Sequence, residues 1–86
     1  MLDFKKLKNT LNQIAEKYQC KIWVCQKIGR RISYIEGLKA GKEYYLPPEI
    51  LWENENYVIF GENVNTKDIE FNQLLNEVIK IVRNYK

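Results

Sequence analysis

The residues of this 86-residue chain best equipped for chemistry are two cysteines, a scatter of carboxylates and six tyrosines; histidine is absent. Without an imidazole the chain lacks the commonest general base, the usual partner of a nucleophilic serine or cysteine, and the commonest metal ligand. A zinc site takes four ligands, and Cys20 and Cys25 would leave two of them to carboxylates, a poor donor set for that ion. No metal or other cofactor is expected. Glu53 and Glu55 could form a carboxylate pair, but the run Glu53-Asn54-Glu55-Asn56 has the composition of a solvated loop. Tyr34 or Tyr45 beside a lysine could pass a proton, yet no spacing supports it, and a tyrosine hydroxyl more often bonds a backbone group. Gly37 and Gly41, followed by Lys42, superficially match a phosphate-binding loop. That loop needs four residues between its glycines and a Ser or Thr after the lysine, whereas this chain has three and then Glu43-Tyr44-Tyr45. No enzymatic activity is expected.

The two thiols are not expected to pair. Five residues of one extended strand span about 16 Å, far beyond the roughly 7 Å that a disulfide allows between Cα atoms. Free thiols point to a reducing compartment, with Cys25 as a small buried hydrophobe. No apolar run approaches the roughly 18 residues of a membrane span. The segment from Met1 to Gln13 lacks the apolar stretch and cleavage site of a signal peptide, so a cytoplasmic protein is expected.

What remains is binding chemistry, and it concentrates between Lys21 and Glu36. The residues Trp23, Cys25, Ile32 and Tyr34 form a candidate apolar interface for a second copy of the chain or another protein. The alternative is a nucleic-acid contact in which Trp23 and Tyr34 stack on bases while Lys21, Lys27, Arg30 and Arg31 neutralise phosphates. The net charge is only +3, but residues 21–45 hold six bases against two acids.

The element that must position these groups is a β-hairpin over 21–36. Ile22, Val24, Gln26 and Ile28 alternate with Trp23, Cys25 and Lys27 at the period of a strand. Gly29-Arg30 is a two-residue turn whose first position needs a positive φ. This register pairs Ile28 with Arg31, Gln26 with Ser33, Cys25 with Tyr34, Val24 with Ile35 and Trp23 with Glu36. A three-residue loop pairing Ile28 with Ile32 would want its glycine last, so the two-residue turn is preferred. Either face is then partly apolar, unlike a sheet with one dry and one wet face.

Around the hairpin, Phe4, Leu7, Leu11, Ile14 and Tyr18 make the stripe of an amphipathic helix from Asp3, its expected N-cap, to about Tyr18. Residues 37–41 read as a loop, 42–46 as a third strand ended by Pro47-Pro48, and Pro48 to Leu51 as one helical turn. Tyr57 to Phe60 is apolar throughout and reads as a central strand. Asn65 or Thr66 is the expected cap of a C-terminal helix. Its apolar arc (Phe71, Leu74, Leu75, Val78, Ile81, Val82, Tyr85) is broad enough to want two neighbours, for instance the sheet and the first helix. The expectation is a single α+β domain of order α-β-β-β-β-α, with both helices packed on an antiparallel sheet.

Overall fold

The computed structural model describes residues 4–84, so the expected cap at Asp3 and the end of the arc at Tyr85 lie outside the described residues. The order is α1 (Phe4–Tyr18), β1 (Lys21–Ile28), β2 (Arg31–Ala40), β3 (Glu49–Glu53), β4 (Tyr57–Glu62) and α2 (Ile69–Arg83). The four strands form one antiparallel sheet in the spatial order β2-β1-β4-β3, which places β4 in the interior, as its unbroken apolar run requires. The expected α-β-β-β-β-α architecture is the one observed.

Both helices lie on the same side of this sheet. Leu7, Leu11 and Ile14 of α1 and Phe71, Leu75, Val78 and Val82 of α2 are buried, at the spacings that keep them on one helical face. They close on Ile22 and Val24 of β1, Leu38 and Ala40 of β2, and Tyr57 and Ile59 of β4. Leu74 and Ile81, at the margins of the α2 arc, are half-buried against the same core, so the broad arc does serve two neighbours. The helices also meet directly: the Tyr18 and Phe71 rings pack edge to face at 5.5 Å, and Lys17 and Glu70 form an exposed ion pair at 3.0 Å.

The first helix is stopped by backbone geometry. Gln19 takes a left-handed conformation (φ 52°), and the amide of Cys20 bonds back to the carbonyl of Ala15, the wrapped end in which glycine is the usual residue. At the other end of the chain the cap of α2 is Asp68, whose carboxylate accepts the Phe71 amide at 3.0 Å. Asn65, one of the two residues expected there, instead accepts the Lys67 amide and shapes the turn leading into the helix.

Two stretches of the sheet depart from the sequence reading. The hairpin pairs as expected from Ile28–Arg31 through Cys25–Tyr34 around the positive-φ Gly29. Beyond that point the register jumps to Trp23–Lys39, so residues 35–38 stand opposite Val24 alone, and the expected pairs Val24–Ile35 and Trp23–Glu36 do not form. This large, irregular bulge lets Ile35 and Leu38 both reach the helical core, and β2 continues to Ala40 rather than ending at Glu36. The third strand is Glu49–Glu53, where a helical turn was expected, whereas 42–48, expected to hold the strand, cross the end of the sheet as an irregular strap. Tyr45 is left-handed (φ 58°), which breaks an extended run. Pro47 and Pro48 cannot donate to a ladder, so pairing starts after them.

Candidate interaction surface

Strand pairing assigns the residues on the side of the sheet away from the helices. They are Ile32, Tyr34 and Lys39 on β2, Lys21, Trp23, Cys25 and Lys27 on β1, Val58, Phe60 and Glu62 on β4, and Ile50 and Glu53 on β3. No helix covers this side, yet its centre is closed. Trp23, Cys25 and Val58 are buried together, with Phe60 half-buried against them. The Trp23 and Phe60 rings, on directly paired residues, stack at 5.6 Å between centroids and 20° between planes. The Lys21 ammonium sits 4.8 Å from the Trp23 ring centroid, a cation–π contact.

The strap of residues 41–48 explains how one end of this side is held shut. β2 and β3 are opposite edges of the sheet, so the chain between them must cross the ends of β1 and β4. Charged side chains at that end hold it, Lys39 among them at 3.6 Å from Glu43. The Lys21 Nζ donates to Glu43, and a single Glu62 oxygen accepts the amides of Tyr44 and Leu46 at 2.9 and 3.0 Å. The left-handed Tyr45 between those two amides turns both toward one anion, a small backbone nest occupied by the protein's own carboxylate. Gly41 begins the strap, with φ +98°, and a Cβ there would lie 2.2 Å from the Cys20 carbonyl oxygen, so the crossing needs glycine at that point. Burial alone would lower the Lys21 pKa; its bond to Glu43 and the charges of Glu43 and Glu62 outweigh that and raise it. The Lys21 bond chiefly lowers the Glu43 carboxyl.

The four residues expected to make an interface therefore divide. Trp23 (6% exposed) and Cys25 (2%) lie in the closed centre and are not presented to a partner. Ile32 (55%) and Tyr34 (70%) are open to solvent on the outer strand β2. The four residues of the nucleic-acid alternative divide too. Lys21 is buried and tied to Glu43, and Lys27 is bonded to Glu53 across the sheet at 2.7 Å. Arg30 and Arg31 are exposed at the hairpin tip, and among the described residues neither is in an ion pair.

Ile50 on β3 and Leu46 in the strap add exposed apolar surface that the sequence reading did not single out, as does the ring of Tyr45, considered there only for proton transfer. Ile50 carries no signal of exposure in its own neighbourhood; it depends on β3 being the outermost strand. Both cysteines are free and buried. Burial pushes the Cys20 thiol up to about 11, and it also raises Cys25, against an opposing bond involving Trp23. Among the described residues no cluster of His, Cys, Asp and Glu could hold a metal ion, and no helix is long and apolar enough to cross a membrane. Comparison of the chain with protein-family models, with curated proteins and with solved structures finds no match.

Proposed function

We propose that this protein is a small, non-enzymatic interaction module that self-associates through the apolar margin of its helix-free sheet side. The observation that carries this reading is the exposure of Ile32 and Tyr34, neighbours on one face of the outer strand β2 beside a closed aromatic centre. Burying a large apolar side chain contributes about 1.5–3 kcal/mol, and a two-fold dimer doubles each such contribution. The closed Trp23–Phe60 centre supplies a rigid floor, so the contact needs little ordering on association. Free buried thiols support a cytoplasmic setting.

Nucleic-acid binding is the second reading, and it has lost much of its equipment. Trp23 cannot stack on a base from inside the cluster, which leaves Tyr34. Lys21 and Lys27 are already neutralised, which leaves Arg30 and Arg31 against a polymer usually met by several cations. Light scattering at two salt concentrations, with and without mixed oligonucleotides, tests both readings. A dimer at both salt concentrations, only modestly weakened at the higher one, is the expected result. A monomer that shifts with oligonucleotide only at low salt would replace this reading with the second, and a monomer indifferent to both would overturn self-association.

A further inference from the structure

We infer that the partner is a second copy of this chain joined edge to edge, β2 against β2 in antiparallel register with Ser33 on the two-fold axis. This deepens the self-association reading and rests on it. The first argument is the contrast between the two edges of the sheet. Natural edge strands are blunted by prolines, charges, bulges or shortness. β3 has them all: five residues, Pro47-Pro48 just before it, a bulge at Leu51, and Glu49 and Glu53 at its ends. On β2 the bulge comes only after Tyr34, and the run Ile32 to Ile35 holds no proline, glycine or charge. That run is the unblunted part of this edge, flanked by Arg31 and Glu36, with Lys39 further along β2 placed 5.6 Å from the Tyr34 ring centroid.

The second argument is phase. Ile28 and Arg31 close a two-residue turn, so theirs is a pair that exchanges both ladder bonds, and alternation assigns the same to Gln26 and Ser33. The amides and carbonyls of Ile32 and Tyr34 therefore point away from β1, toward any strand added outside. A two-fold perpendicular to the sheet keeps the helix-free sides together, so residues facing each other must share a side. Centring on Ser33 meets both conditions: Ile32 pairs with Tyr34 of the other copy, twice, through the groups that point outward. It brings four exposed apolar side chains into one cross-strand cluster.

The third argument is charge. The same register brings Arg30, in the turn of each copy, near Glu36, at the start of the bulge in the other. Both are exposed, and neither has an ion-pair partner within its own chain among the described residues. Shifting the axis to Ile32 or Tyr34 loses this match.

Ser33→Cys supplies the test. At a non-hydrogen-bonded antiparallel pair the Cα atoms are about 4.5 Å apart, within disulfide range, whereas residues 31 would be separated by about 13 Å across the same axis. Under mild oxidation Ser33→Cys is expected to form a covalent dimer at least about tenfold faster than Arg31→Cys or Ile50→Cys, with the buried native thiols inert. Arg30→Glu is expected to weaken association about tenfold, and adding Glu36→Arg to restore it. A dimer by light scattering that cross-links through Ile50→Cys and not Ser33→Cys overturns the edge pairing while self-association stands. A failure of the charge exchange to restore the dimer overturns the register. A wild-type chain that remains monomeric, with no cross-link from any variant, overturns both.

Discussion

Lys21 and Glu62 are directly paired across β1 and β4 at one end of the helix-free side, and both are buried, the two charged residues so placed among those described. Each is spent on the strap rather than on the other: Lys21 binds Glu43, and Glu62 gathers the amides of Tyr44 and Leu46. The strap has no ladder bonds of its own, so these contacts decide whether it stays over the end of the sheet.

Removing the Glu62 carboxylate should therefore release the strap. Bonds to a charged acceptor are worth about 1.5–3 kcal/mol each, and Lys21 would lose a neighbouring negative charge. Glu62→Ala is expected to lower unfolding stability by about 2–4 kcal/mol in urea titrations, and Glu62→Gln by less, since its amide oxygen still accepts. Protease cleavage between residues 41 and 48 should accelerate in parallel. A loss below about 0.5 kcal/mol would show that the strap is held by something else.

The Lys21–Glu43 pair gives a pH dependence of known sign. Glu43 is held below its ordinary value of 4.5 in the folded chain, chiefly by the Lys21 bond. Its contribution is thus complete above 4.5 and is lost as the pH falls through the lower folded value. Lys21 is raised above its ordinary 10.5, so its share is complete below 10.5 and disappears as the pH climbs through the folded value. The stability difference between wild type and Glu43→Gln should be flat from about pH 5 to 10 and shrink on either side. A difference that peaks inside that plateau would contradict the pairing. Because Glu43 is itself largely exposed, added salt should reduce the plateau.

Burial separates Trp23 from Tyr34 as experimental targets. Trp23→Ala empties a packed site beside Phe60 and is expected to cost about 3–5 kcal/mol of stability, whatever the concentration of the protein. Tyr34→Ala, at an exposed position, should change monomer stability by less than about 1 kcal/mol while weakening association measured by light scattering. If Trp23→Ala leaves the unfolding midpoint unchanged, the closed centre is not as described. If Tyr34→Ala leaves the association constant unchanged, the apolar margin is not the contact.

How much of this could be read from the chain depends on how local the cause was. The hairpin turn, the pairing as far as Cys25–Tyr34, and the stripes of both helices follow from period and from Gly29, and they stand. Residues 35–38 depend on a bulge that lets Ile35 and Leu38 both reach the helices, a demand set by the core and not by neighbouring residues. Tyr44-Tyr45-Leu46 has the composition of a strand, and only the distant Glu62 carboxylate makes it a left-handed nest. The position of β3 as an edge, on which the exposure of Ile50 depends, is likewise a matter of topology. The four residues named for the candidate surface share one side of the sheet, but the fold keeps Trp23 and Cys25 inside and leaves Ile32 and Tyr34 exposed.

The cysteines give a last test, in which the native fold itself is the protecting group. With Cys20 pushed up to about 11, almost none of it is thiolate at pH 8; burial raises Cys25 as well, and neither sulfur is open to reagent. Alkylation of the native protein should therefore proceed only through opening of the structure, slowed by the opening equilibrium rather than by thiol chemistry. The two sites should differ. Cys25 lies in the small cluster with Trp23 and Val58, whereas Cys20 joins the main core under both helices. Gly41 at the start of the strap lies against the Cys20 carbonyl, whereas Cys25 pairs with Val58 further along β1, so Glu62→Ala, by loosening the strap, should expose Cys20 at urea concentrations well below the unfolding midpoint and leave Cys25 protected until the whole domain unfolds. Labelling followed by peptide mass spectrometry reads the two sites separately. Equal rates at both in that variant would mean that the two ends of β1 open as one unit, and that the strap does not guard Cys20 independently.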